Sequence, residues 1–415
     1  MRKLLFAVLT TAHVAASCTS DWNCSLNGIC DQGSCTCDKP WSGSRCGTLH
    51  LAPGQKGVGG LPLAAYHGDG LNSTSWGASV LFAPEDGLYY MWVAAMTNSC
   101  PLSSWQTNSE VHLASSDTAL GPFTKVRTLV PPWAHNPQTI RAPDDSSASG
   151  HVYALFTLGD GKNYNGDPQQ CDGKPPAPPT PLVPPPDWVV GQCQLGPPHG
   201  EASWAGCIVA NFTIFWSETA TGEYKEHTAQ ILDWPVHHTG RPWDYGPWGN
   251  WNPAPLVHPN GSIFVQVLTS SYGWKHGGAI IYAETWRGPY RMVASDTFEN
   301  WGGSTENAED PFTWIDRRGH WHVLYEGDPM PGAHAYSLDG LTWSNISMAY
   351  DGPDQGAFNL SRPFLDSDGV IRNVSYYSAR PKLLFGHDGN TPTHLYGGTN
   401  PIPEEGGFSI VSPLE

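Results

Sequence analysis

The feature that most constrains the fold of this chain is a β-hairpin pattern that recurs from about residue 50 onward. Short apolar stretches alternate with Asp-Gly, Asn-Gly and Gly-Pro turns, which is typical of antiparallel hairpins. One recurring piece is a strand that opens with a polar residue before proline and runs to a tight turn, as from Asp310-Pro311 to Arg318-Gly319. A second piece is a strand that ends in a small residue before a turn and an aromatic residue, as in Ala283 before Gly288-Pro289-Tyr290. Two pieces make one four-stranded unit, and its repetition predicts a β-propeller.

The strands that begin the repeats give the number of blades. They start near Trp76, Asn136, Asn252, Asp310 and Arg362. The composition, with 46 Gly, 38 Pro and 19 Trp among 415 residues, suits many short strands and turns better than long helices. The sequence therefore predicts an all-β fold in which residues 48–415 form a five-bladed β-propeller.

A long insertion, at about residues 159–204, accounts for most of the uneven spacing of the repeats. Its proline-rich runs, residues 174–181 and 184–186, cannot donate N–H groups to a sheet, so we expect an extended loop. Cys171, Cys193 and Cys207 lie in or near the insertion, and Cys100 lies upstream of it. Their pairing stays open. Loops of this length are usually functional or disordered, and the insertion is either a disulfide-tied lid beside a central site or an inert excursion.

The first 17 residues have the form of a secretory signal peptide. Arg2 and Lys3 precede an apolar stretch, and Ala15, Ala16 and Ser17 follow as small residues. No later run of some twenty apolar residues exists, so we expect no membrane span. Seven Asn-x-Ser/Thr acceptor motifs begin at Asn23, Asn72, Asn211, Asn260, Asn345, Asn359 and Asn373. These features predict a secreted, extracellular glycoprotein, and the formal net charge of −17 disfavours nucleic acid and anionic membranes as partners.

Six of the ten cysteines are packed into a short segment after the signal peptide. They are Cys18, Cys24, Cys30, Cys35, Cys37 and Cys46. Such a segment cannot bury a core, so disulfides have to hold it together, and six cysteines allow fifteen pairings. Zinc binding is disfavoured because no Cys-x-x-Cys pair is present.

The Cys35-Thr36-Cys37 step and the run from Trp41 to Cys46 make residues 18–47 resemble an epidermal-growth-factor-like (EGF-like) module. The resemblance implies the pairs Cys18–Cys30, Cys24–Cys35 and Cys37–Cys46. Calcium-binding members carry acidic ligands before the first cysteine, whereas this chain has small residues there, so no calcium is expected. Modules of this kind are most often spacers or adhesion elements, and this one could contact another protein.

The repeat, the Asp310-Pro311 strand start and the aromatic turns together resemble the five-bladed β-propeller glycoside hydrolases of the family 43 type, which include arabinanases, β-xylosidases and fructosidases. The resemblance covers most of residues 50–405. It implies a sugar site in a funnel at the propeller axis, with three carboxylates near the starts of innermost strands. One is a base or nucleophile in blade one, one is the acid, and one positions substrate and tunes the pKa of the acid.

Only some of the three carboxylate positions that the resemblance implies are occupied by acidic residues in this sequence. In blade one, counting back from the turn at Asp86-Gly87 reaches Ala78, so the expected aspartate is missing. Asp69 is the nearest upstream acid and could reach the axis from a loop, although a plain turn is the simpler interpretation. Blades two and three have Asn136 and Asn252 at the matching positions, and asparagine cannot be a general acid.

Blade four keeps carboxylates at its strand start. Glu309 and Asp310 are adjacent and should point to opposite faces, so we expect one in the funnel while the other caps the strand or pairs with Arg362. Glu326 ends the next strand near the same rim. The candidate catalytic residues are therefore Asp310, Glu309, Asp69 and Glu326.

Further polar and aromatic residues are candidate substrate ligands. They are Asn136, Asn252, Arg362, Arg380, Trp243 and Trp251. Either arginine could bind an acidic sugar or anchor Asp310. Trp243 and Trp251 would make a stacking platform for sugar rings or else pack between blades. Most histidines lie in loops without a tight ligand pair, so we expect no metal and no cofactor.

The sequence predicts a secreted carbohydrate-active protein that binds an extracellular polysaccharide or glycan in the axial funnel and can hydrolyse it if two carboxyls converge there within roughly 5–10 Å. The alternative is a non-catalytic glycan-binding or adhesion protein that has kept the funnel and lost the chemistry. A lipase or protease is disfavoured because no Gly-x-Ser-x-Gly motif is present.

Overall fold

The computed structural model describes most of the predicted propeller and all of the cysteine-rich segment. The described residues are 17–55, 64–70, 73–162, 167–174, 211–232, 248–271, 275–294, 309–326, 331–350, 359–365, 370–377, 379–399 and 407–415. Residues 1–16 of the signal peptide, the prolines of the two proline-rich runs, Cys193, Cys207 and Trp243 lie outside these residues. Within them, no helix is long and apolar enough to cross a membrane.

The N-terminal disulfide-rich module has little regular structure. It consists of a 3-10 turn (Asp21–Cys24) and strands β1 (Gly28–Asp31), β2 (Ser34–Cys37), β3 (Trp41–Ser42) and β4 (Thr48–Leu49). The three disulfides join Cys18 to Cys30, Cys24 to Cys35, and Cys37 to Cys46. The structure thus has the three pairs that the resemblance implied.

The propeller begins with two short strands and its first blade. They are β5 (Gly54–Gln55), β6 (Ala64–Tyr66), β7 (Thr74–Ala83), β8 (Leu88–Met96), β9 (Ser109–Ser116) and β10 (Thr124–Val130). Two 3-10 turns (Thr97–Ser99 and Leu102–Ser104) and the helix α1 (Trp105–Asn108) connect β8 to β9. Blade two contains β11 (His135–Pro143), β12 (His151–Leu158), β13 (Asn211–Ser217) and β14 (Lys225–Gln230). Blade three contains β15 (Trp248–Val257), β16 (Ile263–Ser271), β17 (Lys275–Ala283) and β18 (Arg291–Ala294).

The rest of the chain forms two more blades and one additional hairpin. Blade four contains β19 (Glu309–Ile315), β20 (Trp321–Glu326), β21 (Pro331–Ser337) and β22 (Ser347–Met348). The hairpin is β23 (Asn359–Leu365) and β24 (Ile371–Tyr377), and blade five contains β25 (Ala379–Phe385), β26 (Pro392–Thr399) and β27 (Phe408–Pro413). Every blade is an antiparallel sheet in strand order, with β7, β11, β15, β19 and β25 innermost and in contact around the ring. The predicted all-β fold with five blades is confirmed.

The ring is closed by a strand from the N-terminal side of the propeller. The fourth strand of blade five is β6, which pairs with β27. The Ser75 hydroxyl donates to the Tyr66 carbonyl at 2.6 Å and accepts the Ser409 N–H at 3.0 Å. These bonds tie blade one to β6 and β27, the two outer strands of the closing sheet, so segments from the two ends of the propeller sequence hold each other.

Apolar side chains fill the spaces between neighbouring blades. One cluster lies between blades two and three and contains Val152 and Ile214 facing Val265. Another lies between blades one and two, where Trp92 stacks on Tyr153 with ring centroids 5.7 Å apart. Similar clusters join blades three to four and five to one. Because the apolar core lies between blades, the innermost strands can present polar residues to the axis.

The prediction that Arg362 begins the fifth inner strand is wrong. Arg362 lies on β23, which pairs with β24 and, in parallel, with β5 outside the five blades. The fifth inner strand is β25, and Arg380-Pro381 supplies the polar-residue-before-proline signal there. The two Arg-Pro pairs look alike in sequence, and only pairing with the rest of blade five distinguishes them.

The disulfide-rich module packs against blade four. Trp41 stacks on Trp314 with ring centroids 6.5 Å apart, and Trp22 meets the edge of Tyr336 at 4.8 Å. The Arg318 guanidinium donates to the Asp38 carboxylate at 2.6 Å. Trp314 lies near the end of β19 opposite to Asp310, so these contacts leave the start of that strand uncovered by the module.

Candidate functional site

One residue near the start of each of the five inner strands has an unusual backbone conformation. Gly77, Asn136, Asn252, Asp310 and Arg380 all have a positive φ, between +51° and +60°. At each of these positions the register of the inner strand shifts against the second strand of its blade. A bulge re-aims a side chain, and left-handed backbone at non-glycine residues tends to persist at functional sites. These five positions, which we call the axial ring, are where the blades bring their strand starts together.

The blade-one position of the axial ring is a glycine, Gly77, because a larger residue would collide with a neighbouring side chain. A Cβ added to Gly77 would lie 2.8 Å from Cδ of Arg380 and 3.3 Å from its Cβ. The Arg380 side chain therefore occupies the space that a blade-one side chain would need. Sequence counting reached Ala78 because it did not include the bulged residue. The conclusion that blade one lacks a carboxylate at this position holds for Gly77 as well.

Asp310 is the centre of a hydrogen-bonded network that joins three blades. Its Oδ1 accepts from Nδ2 of Asn136 at 2.8 Å, and its Oδ2 accepts from Nε of Arg380 at 2.9 Å. All three residues are buried. Asn136 is on blade two and Arg380 is on blade five, so both oxygens of Asp310 are held across the propeller axis by charge-assisted or amide hydrogen bonds.

Two further carboxyls lie beside Asp310. Burial first, and then the negative charge of Asp310, raises the pKa of Glu309 to about 7, while Arg380 acts in the opposite direction. Glu326 is the cross-strand partner of Glu309, and its Oε2 accepts the backbone N–H of Arg380 at 3.3 Å. Directly opposed residues in an antiparallel pair have side chains on the same face. Three carboxyls therefore meet at the start of blade four.

A buried lysine lies next to this cluster along β25. Nζ of Lys382 donates to Oε1 of Gln138 and to the carbonyl of Pro311, both at 2.8 Å. Burial lowers the pKa of Lys382 to about 7, although the charge of Asp310 opposes this shift. The side chain thus connects blades five, two and four immediately beside the axial ring.

The structure places the other predicted ligands in different surroundings. Asn252 belongs to the axial ring and is buried. Trp251 lies on β15 just before it, with its side chain outside the described residues. Asp69 does not join Asp310: its Oδ1 accepts from Nζ of Lys125 at 2.6 Å. Lys125 is on β10, the outermost strand of blade one, so its ion pair lies about three strand spacings, or roughly 14 Å, from the inner strand.

The outer half of blade one holds a separate polar cluster. Nε2 of His112 lies 2.5 Å from Glu110, and its Nδ1 lies 2.8 Å from the Tyr66 hydroxyl. Asp69, Glu110 and His112 are close enough together to hold a metal ion. The Lys125 ammonium is 2.6 Å from Asp69 and 4.0 Å from Glu110, so it already supplies positive charge there.

Sequence reasoning missed two buried residues of the axial region. Lys382 is 3% exposed, and a lysine two residues after Arg380 carries no sequence signal of such burial. The expectation that most histidines lie in loops is wrong for His135, which lies on β11 and is 1% exposed. The available signal was its position directly before Asn136-Pro137, since that pair marks a strand start.

The disulfide Cys100–Cys171 ties the beginning of the long insertion to blade one. The Asn108 side chain both donates to the Gln169 carbonyl at 2.8 Å and accepts the Gln169 N–H at 3.0 Å. Trp105 of the same connection stacks on His135 with ring centroids 4.9 Å apart. The anchored start of the insertion therefore lies beside the axial ring.

Together these observations define a five-bladed β-propeller with a buried, charged cluster at its axis. In overall structure the chain is similar to a family 117 glycoside hydrolase from the marine bacterium Zobellia galactanivorans, at 12% identity and a TM-score of 0.47, over 88% of this chain and 89% of that one. It is also similar to an exo-β-1,3-galactanase from Clostridium thermocellum, at 14% identity and a TM-score of 0.45, over 89% and 63%. A family 43 β-xylosidase/α-arabinofuranosidase from a compost metagenome gives 10% identity and a TM-score of 0.42, over 84% and 94%. No family model and no curated protein matches the sequence.

Proposed function

We propose that this protein is a secreted carbohydrate-active enzyme that binds a glycan at the axial ring and hydrolyses a glycosidic bond there. The observation that carries the proposal is the difference between two adjacent carboxyls. Glu309 has its pKa raised to about 7, whereas Asp310 is ion-paired with Arg380. Carboxyls whose surroundings differ in this way are typical of an acid and its charged neighbour in glycoside hydrolysis.

In this proposal Glu309 is the general acid. A carboxyl with a pKa near 7 is about half protonated at neutral pH, where an ordinary glutamate is almost fully ionised, so it can transfer a proton to the leaving oxygen. Asp310 has both oxygens engaged, so its role is to repel the charged form of Glu309 and keep the acid protonated. Glu326, opposite Glu309 on β20, is the base or nucleophile, since glycoside hydrolysis needs a second carboxyl within roughly 5–10 Å.

Several features support an extracellular site of action. Residues 1–17 have the form of a signal peptide, and seven acceptor motifs for N-glycosylation follow. The described cysteines form four disulfides, which persist in oxidising compartments. We also propose that the disulfide-rich module is of the EGF-like type and contacts a protein partner through a surface that includes the half-exposed Ile29.

The proposal is tested by incubating the secreted protein with a panel of plant, algal and microbial polysaccharides and detecting released oligosaccharides by mass spectrometry. Removing the acid in Glu309→Gln should lower the rate of release by about 10²- to 10⁴-fold. Glu110→Gln is the matched control, because it replaces another buried glutamate outside the axial ring and should leave the rate unchanged. Equal rates for Glu309→Gln and the wild type would exclude Glu309 as the acid.

A second candidate function is non-catalytic glycan binding, and the observation in its favour is Gly77. The blade-one position that carries a base or nucleophile in the enzymes that this sequence resembles has no side chain here, because Arg380 occupies its space. Saturable binding of one glycan without any released product, in both wild type and Glu309→Gln, would support this alternative over hydrolysis.

A further inference from the structure

The contact between the disulfide-rich module and blade four contains two buried histidines that the proposed hydrolysis does not use. His334, on β21, packs against Trp41 of the module with ring centroids 4.8 Å apart. His322, on β20, stacks on His334 at 5.4 Å, and Trp314 stacks on both imidazoles. Both imidazoles are completely buried. Four aromatic rings thus pack together at this contact, and Trp41 is the ring that the module contributes.

The two imidazoles of this histidine pair share one hydrogen bond. Nε2 of His334 lies 3.2 Å from Nδ1 of His322, so one of these nitrogens donates and the other accepts. A protonated imidazole donates from both of its nitrogens, and Nδ1 of His334 is buried without an acceptor among the described residues. Burial, and then the neighbouring His322, hold the pKa of His334 well below its usual range. His334 is therefore neutral at pH 7 while the module covers it.

The charged groups around the histidine pair come from the turn between β19 and β20 and from the module. They are Asp316, Arg317, Arg318 and His320 of the turn, and Asp38 and Arg45 of the module. Oδ2 of Asp316 lies 3.8 Å from Nε2 of His322, and Asp38 is paired with both arginines of the turn. Burial lowers the pKa of His322, although Asp316 opposes this shift. The acid nearest to the pair therefore faces His322, and His334 faces the module through the ring of Trp41.

We propose that the module is released from blade four at mildly acidic pH, because His334 takes up a proton when Trp41 leaves it. Release exposes one face of His334 to water, which solvates the imidazolium, whereas the docked state offers only the aromatic faces of Trp41 and Trp314. An aromatic face attracts a cation much less than the loss of its hydration costs. Proton uptake therefore favours the released state. This inference is independent of the proposed hydrolysis, because Trp314 lies near the end of β19 opposite to Asp310.

The pH range of the release follows from the two states of His334. A solvated histidine has a pKa of about 6.5, and the docked state lowers it. Docking is therefore fully stable above pH 6.5 and loses stability as the pH falls below that value. For one proton taken up, the ratio of released to docked molecules should rise about tenfold between pH 7.5 and pH 5.5.

The test measures hydrogen exchange of the full secreted protein at pH 7.5 and pH 5.5, corrected for the intrinsic effect of pH on exchange. The reporter is the Leu49 N–H, which donates to the Ala349 carbonyl of the propeller. Its protection should fall about tenfold in the wild type. It should not fall in His334→Phe, which keeps an aromatic ring in the contact and cannot titrate. His135→Phe is the matched control, because it replaces another buried imidazole stacked on a tryptophan, and it should show the same loss as the wild type.

Equal losses of Leu49 protection in the wild type and in His334→Phe would overturn the inference. A loss that His135→Phe also reduces would overturn it too, because acid would then act through unfolding of the whole protein. If His334→Phe does not fold, His334→Gln takes its place, since it also lacks a titrating group. The wild type alone gives a further check, because protection of Leu49 that is the same at both pH values rejects the release.

Discussion

Asn136, Asn252, Asp310 and Arg380 share a backbone conformation that L-amino acids rarely adopt. Left-handed geometry costs roughly 1–2 kcal/mol for a residue with a Cβ, and it occurs here four times at equivalent places. The compensation is visible at Asp310, which gains hydrogen bonds from two other blades. At the residue scale, the hydrogen bonds that cross the axis therefore offset the free-energy cost of the left-handed backbone.

Gly77→Ala should disrupt this network. The new methyl group would lie 2.8 Å from Cδ of Arg380, and alanine would also be strained at a φ of +60°. We expect a loss of about 2–4 kcal/mol in the free energy of unfolding, measured by urea denaturation. Gly87→Ala is the control, since Gly87 has a φ of +73° with open space around it and should lose only about 1–2 kcal/mol. Equal losses would contradict the steric role of Arg380.

The titration of Glu309 should appear in the pH dependence of stability. Its folded-state pKa of about 7 lies above the ordinary 4.5, so folding favours the protonated form. The stabilising effect is complete below pH 4.5 and is lost as the pH rises to about 7. The contribution of Glu309 to the free energy of unfolding of the wild type should therefore fall between pH 5 and pH 8. Glu309→Gln lacks this titration, so over the same range its free energy of unfolding should fall by about 1–3 kcal/mol less than that of the wild type. Parallel urea-denaturation profiles for the two proteins would contradict the raised pKa.

At the element scale, the five blades could be predicted because strand alternation and turn residues are local properties. The turns at Asp86-Gly87 and Arg318-Gly319 carry positive φ at glycine, as the dipeptides indicated. The fifth inner strand could not be assigned, because Arg362-Pro363 and Arg380-Pro381 give the same local signal. Their difference is in strand pairing, which is set by contacts far apart in sequence.

The candidate site could be predicted only in part, for a similar reason. Glu309, Asp310 and Glu326 were found because acidic residues at strand ends are visible in the sequence. His135 and Lys382 were missed because their importance comes from burial and from partners on other blades. Asp69 was placed near the axis by its distance along the chain, whereas Lys125 holds it over the outer strand of blade one.

The disulfide between Cys100 and Cys171 should stabilise the connection beside the axial ring. It closes a loop with a sequence separation of 71 residues. Replacing both cysteines with serine should therefore lower the free energy of unfolding by about 2–5 kcal/mol. Calorimetry on the glycan found in the panel should also show weaker binding, because the insertion loses its anchor near Trp105 and His135. Unchanged affinity in a destabilised variant would favour the inert-excursion interpretation of the insertion.

At the scale of the whole molecule, the disulfide-rich module and the propeller share one apolar cluster. Trp41 and Leu49 of the module pack with Trp314 and Leu383 of blades four and five. The Leu49 N–H also donates to the Ala349 carbonyl beyond β22. A module attached only by a linker would not bury aromatic side chains of both units. The contacts predict that module and propeller unfold together.

Trp41→Ala tests this coupling. Removing a buried tryptophan should cost about 3–5 kcal/mol, and the loss should fall on the contact between the two units because the three module disulfides remain intact. Calorimetry should show a single unfolding transition for the wild type and a lower, broadened or split one for the variant. Glycan affinity should not change, since the stack lies near the end of β19 opposite to Asp310. Two separate transitions in the wild type would show instead that the module folds independently, and the shared cluster would then contribute little to stability.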